Sequence, residues 1–157
     1  MLRIGFGFDT HRLIAEKKLM IGGVCIPYHY GCEGHSDADV LIHAICDALL
    51  GASNMRDIGY HFPDTDKQYK DKESAFFLRE VCKLITAEKW KIENIDTTIV
   101  IQQPKLSPYM LSIQHSLAAI LEVETDCISV KAKTSENIGF IGRGEGISDY
   151  AVALLSK

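Results

Sequence analysis

The densest group of side chains that could do chemistry lies at residues 34–43, which read GHSDADVLIH. Two histidines and two aspartates stand there at the start of a predicted helix. Ser36 is a favourable N-cap, and Asp39 follows three residues later, as in a capping box. His43 lies on this helix among acidic residues and is a candidate metal ligand. A hydrogen-bonded structural histidine is an alternative that the pattern leaves open.

A second pair of potential ligands follows the β-rich N-terminal segment. Residues 2–8 favour a strand that runs into Asp9 and His11. Because residues two apart in an extended chain share a face, these two side chains project together. With His43 they would form the two-imidazole, one-carboxylate set of a catalytic zinc site with one open position. Taken alone, the Asp-x-His pattern favours a surface acid and a surface histidine.

A glycine-rich segment near the C-terminus could approach phosphate groups. Residues 139–146 read GFIGRGEG and match neither the P-loop nor the dinucleotide-binding fingerprint. Closely spaced glycines still let backbone amides approach phosphate oxygens, and Arg143 adds a fork of donors. Glu136, near Thr134, could bind Mg²⁺ or Mn²⁺, which prefer oxygen ligands. Together with a zinc site, these features indicate a metal-dependent enzyme acting on a phosphate or diphosphate.

Length and composition bound the class of protein. The 157 residues suit one domain, and a hydrophobic content of 46% suits a packed core. A net charge of −4 argues against a nucleic-acid partner, and no apolar run is long enough to span a membrane. The five cysteines are scattered, without a C-x-x-C pair, and no apolar leader is evident. We therefore expect a cytoplasmic protein with reduced thiols.

The order of predicted elements indicates an α/β (α+β) fold, a two-layer sandwich. We expect a mixed four-stranded sheet with helices on one face, plus a small hairpin around Gly22-Gly23, and a loop from Tyr28 to Gly34. The predicted strands cover 2–8, 97–101, 128–132 and 147–155. The predicted helices start at Ser36 and stop at Gly51, cover 73–88, and start at Pro108 behind a Ser107 cap.

Two of these helices carry further expectations. The first is apolar on a second side, at Ile42, Cys46 and Leu50, and one sheet cannot cover both sides. We therefore expect subunit contacts on that second side. The helix at 73–88 is expected to have a purely structural role.

Six segments, taken in chain order, form a recognisable series. They are RIGFGFDTHR, IGGVCIP, GHSDADVLIHAICDALLGA, DIGYHFPDTD, QQPKLSPY and KAKTSENIGFIGRGEGI. The series resembles the signatures of the 2-C-methyl-D-erythritol 2,4-cyclodiphosphate synthase family and is collinear over essentially the whole chain. The resemblance implies one synthase domain over residues 1–157 and a homotrimer with active sites between subunits.

The resemblance also implies a reaction and its metals. The substrate, 4-diphosphocytidyl-2-C-methyl-D-erythritol 2-phosphate, is closed to the 2,4-cyclodiphosphate with release of CMP, in the non-mevalonate isoprenoid precursor pathway. Asp9, His11 and His43 are implied to bind one Zn²⁺ per active site. Glu136 is implied to help hold a second divalent ion, Mg²⁺ or Mn²⁺.

Further residue roles follow from the same resemblance. His35 and Thr134 are implied to stabilise the transition state. Residues 62–66 would form a mobile loop beside the erythritol portion, and residues 101–107 would form the cytidine pocket. The residues implied to bind substrate are Ser36, Asp57, Ile58, Gly59, Phe62, Pro63, Asp64, Thr65, Asp66, Ile101, Gln102, Gln103, Pro104, Lys105, Leu106, Ser107, Lys133, Ser135, Phe140 and Arg143.

Two positions depart from the family pattern. Lys133 stands where a small hydroxyl residue is more common, and Tyr150 stands where a polar or acidic residue lies near the three-fold axis beside Arg143. Two other functions stay open. A metal-dependent phosphoesterase would release inorganic phosphate or a linear product. A catalytically silent trimer that binds an isoprenoid diphosphate would predict degraded metal ligands.

Overall fold

The computed structural model describes residues 1–34, 36–63 and 65–157, in which strands and helices form two layers. The strands are β1 (Leu2–Ala15), β2 (Leu19–Ile21), β3 (Val24–Ile26), β4 (Tyr30–Cys32), β5 (Lys91–Val100), β6 (Ile128–Lys133) and β7 (Gly146–Ser156). The helices are α1 (Val40–Ala52), α2 (Ile58–His61), α3 (Ser74–Ala87), α4 (Met110–Leu121) and α5 (Gly139–Gly142). Single 3₁₀ turns cover Lys67–Tyr69, Ser107–Tyr109 and Thr125–Cys127. Within the described ranges, no helix has the length and apolar character needed to cross a bilayer.

The larger sheet has the strand order β4-β1-β7-β5-β6. β7 pairs antiparallel with both β1 and β5, whereas β5 and β6 run parallel. The mixed four-stranded sheet is thus confirmed, with one short strand added at its edge. β1 continues past the predicted end at residue 8, and its last residues, 13–15, pair with β4 in the segment predicted to be a loop. The predicted hairpin is confirmed, because β2 and β3 pair antiparallel.

Helix α1 lies directly on β1 because two glycines leave room for it. A Cβ on Gly5 would lie 1.9 Å from the carbonyl oxygen of Ala48, and a Cβ on Gly7 would lie 1.8 Å from that of Ala44. Neither distance is possible for a real side chain. The two glycines therefore set the spacing between β1 and α1, the two elements that carry the predicted metal ligands.

The N-terminus of α1 is capped by Asp39, so the predicted Ser36 cap is wrong. Oδ1 of Asp39 accepts hydrogen bonds from the backbone N–H groups of Ile42 (3.1 Å) and Gly22 (2.9 Å). Oδ2 accepts a third from Gly23 at 2.7 Å. Because it holds the hairpin as well as the helix, Asp39 is fully buried, and Ser36 stands in a turn before it with φ +55°.

The other helix ends differ from prediction by a few residues. α1 continues through Gly51 to Ala52 and is capped by Ser53. The helix predicted at 73–88 covers Ser74–Ala87. Pro108 opens a 3₁₀ turn behind Leu106 rather than the α-helix itself, which begins at Met110. The ends differ from prediction because capping geometry, not periodicity, decides where a helix ends.

The second apolar side of α1 is covered within the chain. Ile42, Cys46 and Leu50 have no exposed surface, and α3 packs against α1. The expected subunit contacts on that side are therefore wrong, because α3 supplies the cover. The large apolar side chains that do remain exposed include a group on the opposite face of β1 and β7, namely Leu2, Ile4, Phe6, Phe8, Tyr150 and Val152.

Candidate active site

Asp9, His11 and His43 meet at one point between β1 and α1. One ligand atom from each lies within 4.8 Å of the others. Oδ2 of Asp9 is 3.1 Å from Nδ1 of His43 and 3.3 Å from Nδ1 of His11. Two ligand atoms bound tetrahedrally to Zn²⁺, each at its usual bond length, lie about 3.3 Å apart. The predicted grouping is therefore found, although Asp9 and His11 lie within β1 rather than at its end.

The two imidazoles differ in their electrostatic surroundings. Nδ1 of His11 is buried and has no hydrogen-bond partner among the described residues. Burial lowers the pKa of His11, and the nearby Asp9 carboxylate only partly opposes this. Burial also opposes protonation of His43, but the hydrogen bond and charge of Asp9 raise its pKa overall. An orphaned, neutral imidazole nitrogen that faces a carboxylate fits a metal ligand set.

The other ring nitrogen of His43 contacts a residue that sequence reasoning missed. Oγ of Ser74 lies 3.1 Å from Nε2 of His43 and 2.5 Å from Oδ1 of Asp37. The first residue of α3, a helix predicted to have a purely structural role, thus lies in contact with a candidate metal ligand. A serine at the start of a helix is typical of a cap, so the sequence held no signal for this contact.

A fully buried carboxyl group stands beside Asp9, His11 and His43, which together could hold a metal ion and are called the metal-ligand group below. Asp149 of β7 pairs across the sheet with Asp9 of β1. Neither of its side-chain oxygens has a hydrogen-bond partner among the described residues. Burial, together with the charges of Asp39 and Asp9, raises the pKa of Asp149 well above its ordinary value. The neutral form of this side chain is thereby favoured.

A cavity of about 570 Å³ adjoins the metal-ligand group. Its lining includes His11, His43 and Ser74. The predicted substrate residues that line it are Ser36, Ile58, Gly59, Phe62 and Thr65. The lining residues that sequence reasoning missed are Gly34, Lys67, Tyr69, Lys70 and Phe77. The two lysines lie in a polar connection with no periodicity, so no pattern could have identified them.

Other predicted residues of this region cap short helices, do not line the cavity, or lie outside the described residues. Asp57 caps α2 by accepting a hydrogen bond from the backbone of Tyr60 at 2.9 Å. Asp66 caps the following 3₁₀ turn in the same way. Among the described residues, Asp57, Pro63 and Asp66 do not line the cavity. The predictions for His35 and Asp64 fall outside the described residues.

A second cavity, of about 430 Å³, lies where β5 and β6 end. Its lining contains the whole segment predicted to form the cytidine pocket, residues 101–107, together with Lys133 and Thr134. Met110 and Ala132 complete the lining and had not been predicted. Within the described residues, this cavity and the cavity of about 570 Å³ beside the metal-ligand group share no lining residue.

The remaining predicted residues lie around the loop after β6. Glu136 accepts a hydrogen bond from Oγ1 of Thr134 at 3.2 Å and lies outside the Asp9, His11 and His43 group. Ser135 donates to the carbonyl oxygen of Ile138 at 2.8 Å. Arg143 forms an exposed ion pair with Glu145, with 2.7 Å between Nε and Oε1. Phe140 lines a third cavity of about 390 Å³, which also contacts His11.

The chain is similar to known proteins over nearly its full length. The model of the YgbB family matches residues 2–156. The 2-C-methyl-D-erythritol 2,4-cyclodiphosphate synthase of Porphyromonas gingivalis is 56% identical over 153 residues, which cover 98% of this chain and 94% of that protein.

Two solved structures show the same fold. The bifunctional IspDF from Campylobacter jejuni aligns with a TM-score of 0.95 at 36% identity, covering 99% of this chain and 42% of that one. A 2C-methyl-D-erythritol-2,4-cyclodiphosphate synthase in its CDP-bound form aligns with a TM-score of 0.91 at 36% identity, covering 98% of this chain and 100% of that one. This chain therefore matches the full length of one and less than half of the other.

Proposed function

The chain belongs to the YgbB family, in which its relatives are 2-C-methyl-D-erythritol 2,4-cyclodiphosphate synthases, and we propose that it catalyses the ring closure that their name describes. The substrate is 4-diphosphocytidyl-2-C-methyl-D-erythritol 2-phosphate, and the products are the 2,4-cyclodiphosphate and CMP. The observation that carries the proposal is the group of Asp9, His11 and His43 beside a cavity. The extent of the family match supports one synthase domain over residues 1–157.

The reaction is an intramolecular phosphoryl transfer. An oxygen of the 2-phosphate attacks the β-phosphorus, and the bond from that phosphorus to the bridging oxygen breaks. The electron pair of that bond leaves with CMP, and an eight-membered ring closes. Because nucleophile and electrophile belong to one flexible molecule, holding it curled supplies much of the rate acceleration. The protein therefore has to fix both ends of the substrate and balance its negative charge.

The metal-ligand group would act on the diphosphate of the substrate. Asp9, His11 and His43 would hold Zn²⁺, which when bound polarises a phosphoryl oxygen. The lowered pKa of His11 keeps its ring neutral and able to bind a metal. Glu136 would contribute to a second site for Mg²⁺ or Mn²⁺, ions that prefer carboxylate oxygens.

The cavity at the ends of β5 and β6 would receive the cytidine. It is lined by residues 101–107, whose backbone groups can read a base edge. Lys133 and Thr134 lie at the same cavity and would face the diphosphate. A lysine at position 133 adds positive charge where the family more often has a small hydroxyl residue, and Thr134 would stabilise the transition state together with His35.

The cavity beside the metal-ligand group would receive the erythritol 2-phosphate. Ser36, Gly59 and Phe62, three of the residues that the resemblance implies bind substrate, line it. Lys67 and Lys70 also line it and would balance the charge of the phosphate. Thr65 also lines it, and Asp57, Pro63, Asp64 and Asp66 would contact the substrate as the resemblance implies, as would Ser135, Phe140 and Arg143.

A homotrimer would complete the active site. Within the described residues, the two cavities have no lining residue in common. One substrate molecule nevertheless has to place its cytidine in one kind of cavity and its erythritol 2-phosphate in the other. The exposed apolar face of β1 and β7, including Phe6, Phe8 and Tyr150, offers a surface for other copies of the chain. We therefore assign the sites to the boundaries between neighbouring subunits. The free thiol state of all five cysteines supports a cytoplasmic location.

Phosphorus NMR with the diphosphocytidyl substrate and Mg²⁺ tests the proposal. We expect a cyclic diphosphate and CMP, and we expect both to disappear when a chelator is added. His43→Ala should abolish turnover while the protein stays folded. Inorganic phosphate or a linear product would indicate a phosphoesterase instead. Substrate binding without turnover, with metal present, would indicate a catalytically silent binding protein.

A further inference from the structure

Both ring nitrogens of His43 are in contact with other side chains. Nδ1 lies 3.1 Å from Oδ2 of Asp9, and Nε2 lies 3.1 Å from Oγ of Ser74. A neutral imidazole carries one N–H group and one lone pair, and a metal ion binds the lone pair. The contact with Ser74 therefore bears on which nitrogen of His43 is available to a metal.

The proton positions follow from the contact between Ser74 and Asp37. Oγ of Ser74 lies 2.5 Å from Oδ1 of Asp37, and the backbone N–H of Ser74 donates to the same carboxyl group at 3.0 Å and 3.2 Å. An ionised carboxylate only accepts hydrogen bonds, so the hydroxyl donates its single proton to Asp37. The serine oxygen then has only lone pairs left for His43. Nε2 of His43 is therefore an N–H group, and Nδ1, which faces Oδ2 of Asp9, is the nitrogen left to bind a metal ion in place of a proton.

Contacts with neighbouring groups hold the Ser74 side chain in one orientation. It is the first residue of α3 and is 1% exposed. Its backbone and its hydroxyl are both tied to Asp37, so the oxygen that faces His43 is fixed relative to α3. An orienting contact of this kind has to be rigid to be effective.

We propose that Ser74 and Asp37 are positioning residues for the metal centre, which hold His43 in the tautomer that binds metal through Nδ1. This inference rests on the proposed function, since it requires that Asp9, His11 and His43 bind a metal ion. Groups behind a metal-binding histidine fix its ring and raise its basicity, and their loss typically lowers metal affinity by about 10- to 100-fold. In this scheme Ser74 and Asp37 do not bind the metal ion themselves and act on it through His43.

The tautomer can be read directly in the unmutated protein. The zinc-loaded, ¹⁵N-labelled protein should show His43 with a protonated Nε2 and an Nδ1 shifted by metal binding, in histidine side-chain ¹⁵N spectra. The opposite assignment, with metal at Nε2 and a proton on Nδ1, would overturn the proposal. This measurement needs no variant and so does not depend on whether one folds.

Ser74→Ala tests the effect on metal affinity. Competition with a chromophoric chelator should show zinc binding weakened by about 10- to 100-fold, and the visible absorption of the Co²⁺-loaded variant should differ from that of the native protein. Ser74→Thr retains the hydroxyl and should restore most of the affinity. The matched control is Ser53→Ala, because Ser53 is also a buried serine but donates to the carbonyl oxygens of Leu49 and Leu50 at the far end of α1.

The outcomes separate this inference from the proposal on which it rests. If the native protein binds no zinc, the metal assignment fails and this inference fails with it. If the native protein binds zinc and folded Ser74→Ala binds it equally well, only the positioning role fails. An equal loss in Ser53→Ala would also contradict it, because general destabilisation would then explain the effect.

Discussion

Oδ2 of Asp9 and Nδ1 of His43 lie 3.1 Å apart, although 34 positions separate the two residues in the chain. Asp9 is on β1 and His43 is on α1, so their distance depends on how closely the helix approaches the strand. Gly5 and Gly7 permit that approach because side chains there would overlap the helix backbone. The geometry of the metal-ligand group therefore depends on the contact of Gly5 and Gly7 with the α1 backbone, and neither glycine is itself a metal ligand.

Gly7→Ala should disturb both stability and metal binding. The added Cβ would lie 1.8 Å from the carbonyl oxygen of Ala44, so α1 would have to move away from β1. We expect the free energy of unfolding to fall by about 3 kcal/mol or more, and zinc affinity to fall with it. Urea denaturation and chelator competition measure the two effects.

Gly51→Ala is the matched control for this substitution. Gly51 is in α1, and the nearest atom to an added Cβ is the carbonyl oxygen of Phe6 at 4.0 Å. A glycine-to-alanine change in a helix with such space should stabilise the protein by about 0.5 to 1 kcal/mol. If Gly7→Ala and Gly51→Ala shift the urea midpoint in the same direction, the argument from close approach is wrong.

Asp39→Ala should destabilise the protein strongly without removing a metal ligand. The carboxylate of Asp39 accepts backbone hydrogen bonds from Gly22, Gly23 and Ile42, and all three donors would lose this partner. Because unsatisfied buried donors are costly, we expect a loss of about 3 kcal/mol or more in urea denaturation. Asp57→Ala removes an exposed helix cap of similar type and should cost only about 1 kcal/mol. Equal losses in the two variants would contradict the role of burial.

The stability of the metal-free protein should depend on pH through Asp149. Its pKa is raised well above 3.8 by burial, so the folded protein retains a proton that the unfolded chain releases. The free energy of unfolding therefore falls as the pH rises from the ordinary aspartate pKa towards the raised one, by up to about 1.4 kcal/mol per pH unit. Asp149→Asn lacks this contribution, so its free energy of unfolding should rise relative to that of the native protein across that range.

Urea denaturation in the presence of a chelator, repeated at several pH values, measures that difference. The other buried acids, such as Asp39, are present in both proteins, so the difference between the two profiles reports Asp149 together with its electrostatic coupling to Asp39 and Asp9. Parallel pH profiles for the native protein and Asp149→Asn would mean that Asp149 does not carry the dependence.

Phe6→Asp should break up the proposed trimer. Phe6 is 63% exposed and lies within the apolar face of β1 and β7. A charge buried there between subunits would lack a partner, which is costly. Sedimentation equilibrium should show smaller species for this variant. Leu111→Asp, at a residue that is 69% exposed on α4, should leave the oligomer intact. A trimeric Phe6→Asp protein would contradict the assignment of this face.

Local patterns were sufficient to predict much of this protein. The alternation of Asp9 and His11 on a strand, the Gly22-Gly23 hairpin and the periodicity of α1 and α3 all depend on residues close together in the chain. The backbone geometry of strands and helices alone fixes which of these side chains share a face. For that reason the metal-ligand group could be proposed before any contact between β1 and α1 was known.

Tertiary structure decided the features that depend on residues distant in sequence. It placed α3 over the second side of α1, buried Asp39 against the hairpin and brought Ser74 to His43. It also left the apolar face of β1 and β7 exposed instead of the helix side predicted to make subunit contacts. No local pattern encodes these outcomes, because which surfaces cover one another is settled only when the whole chain packs.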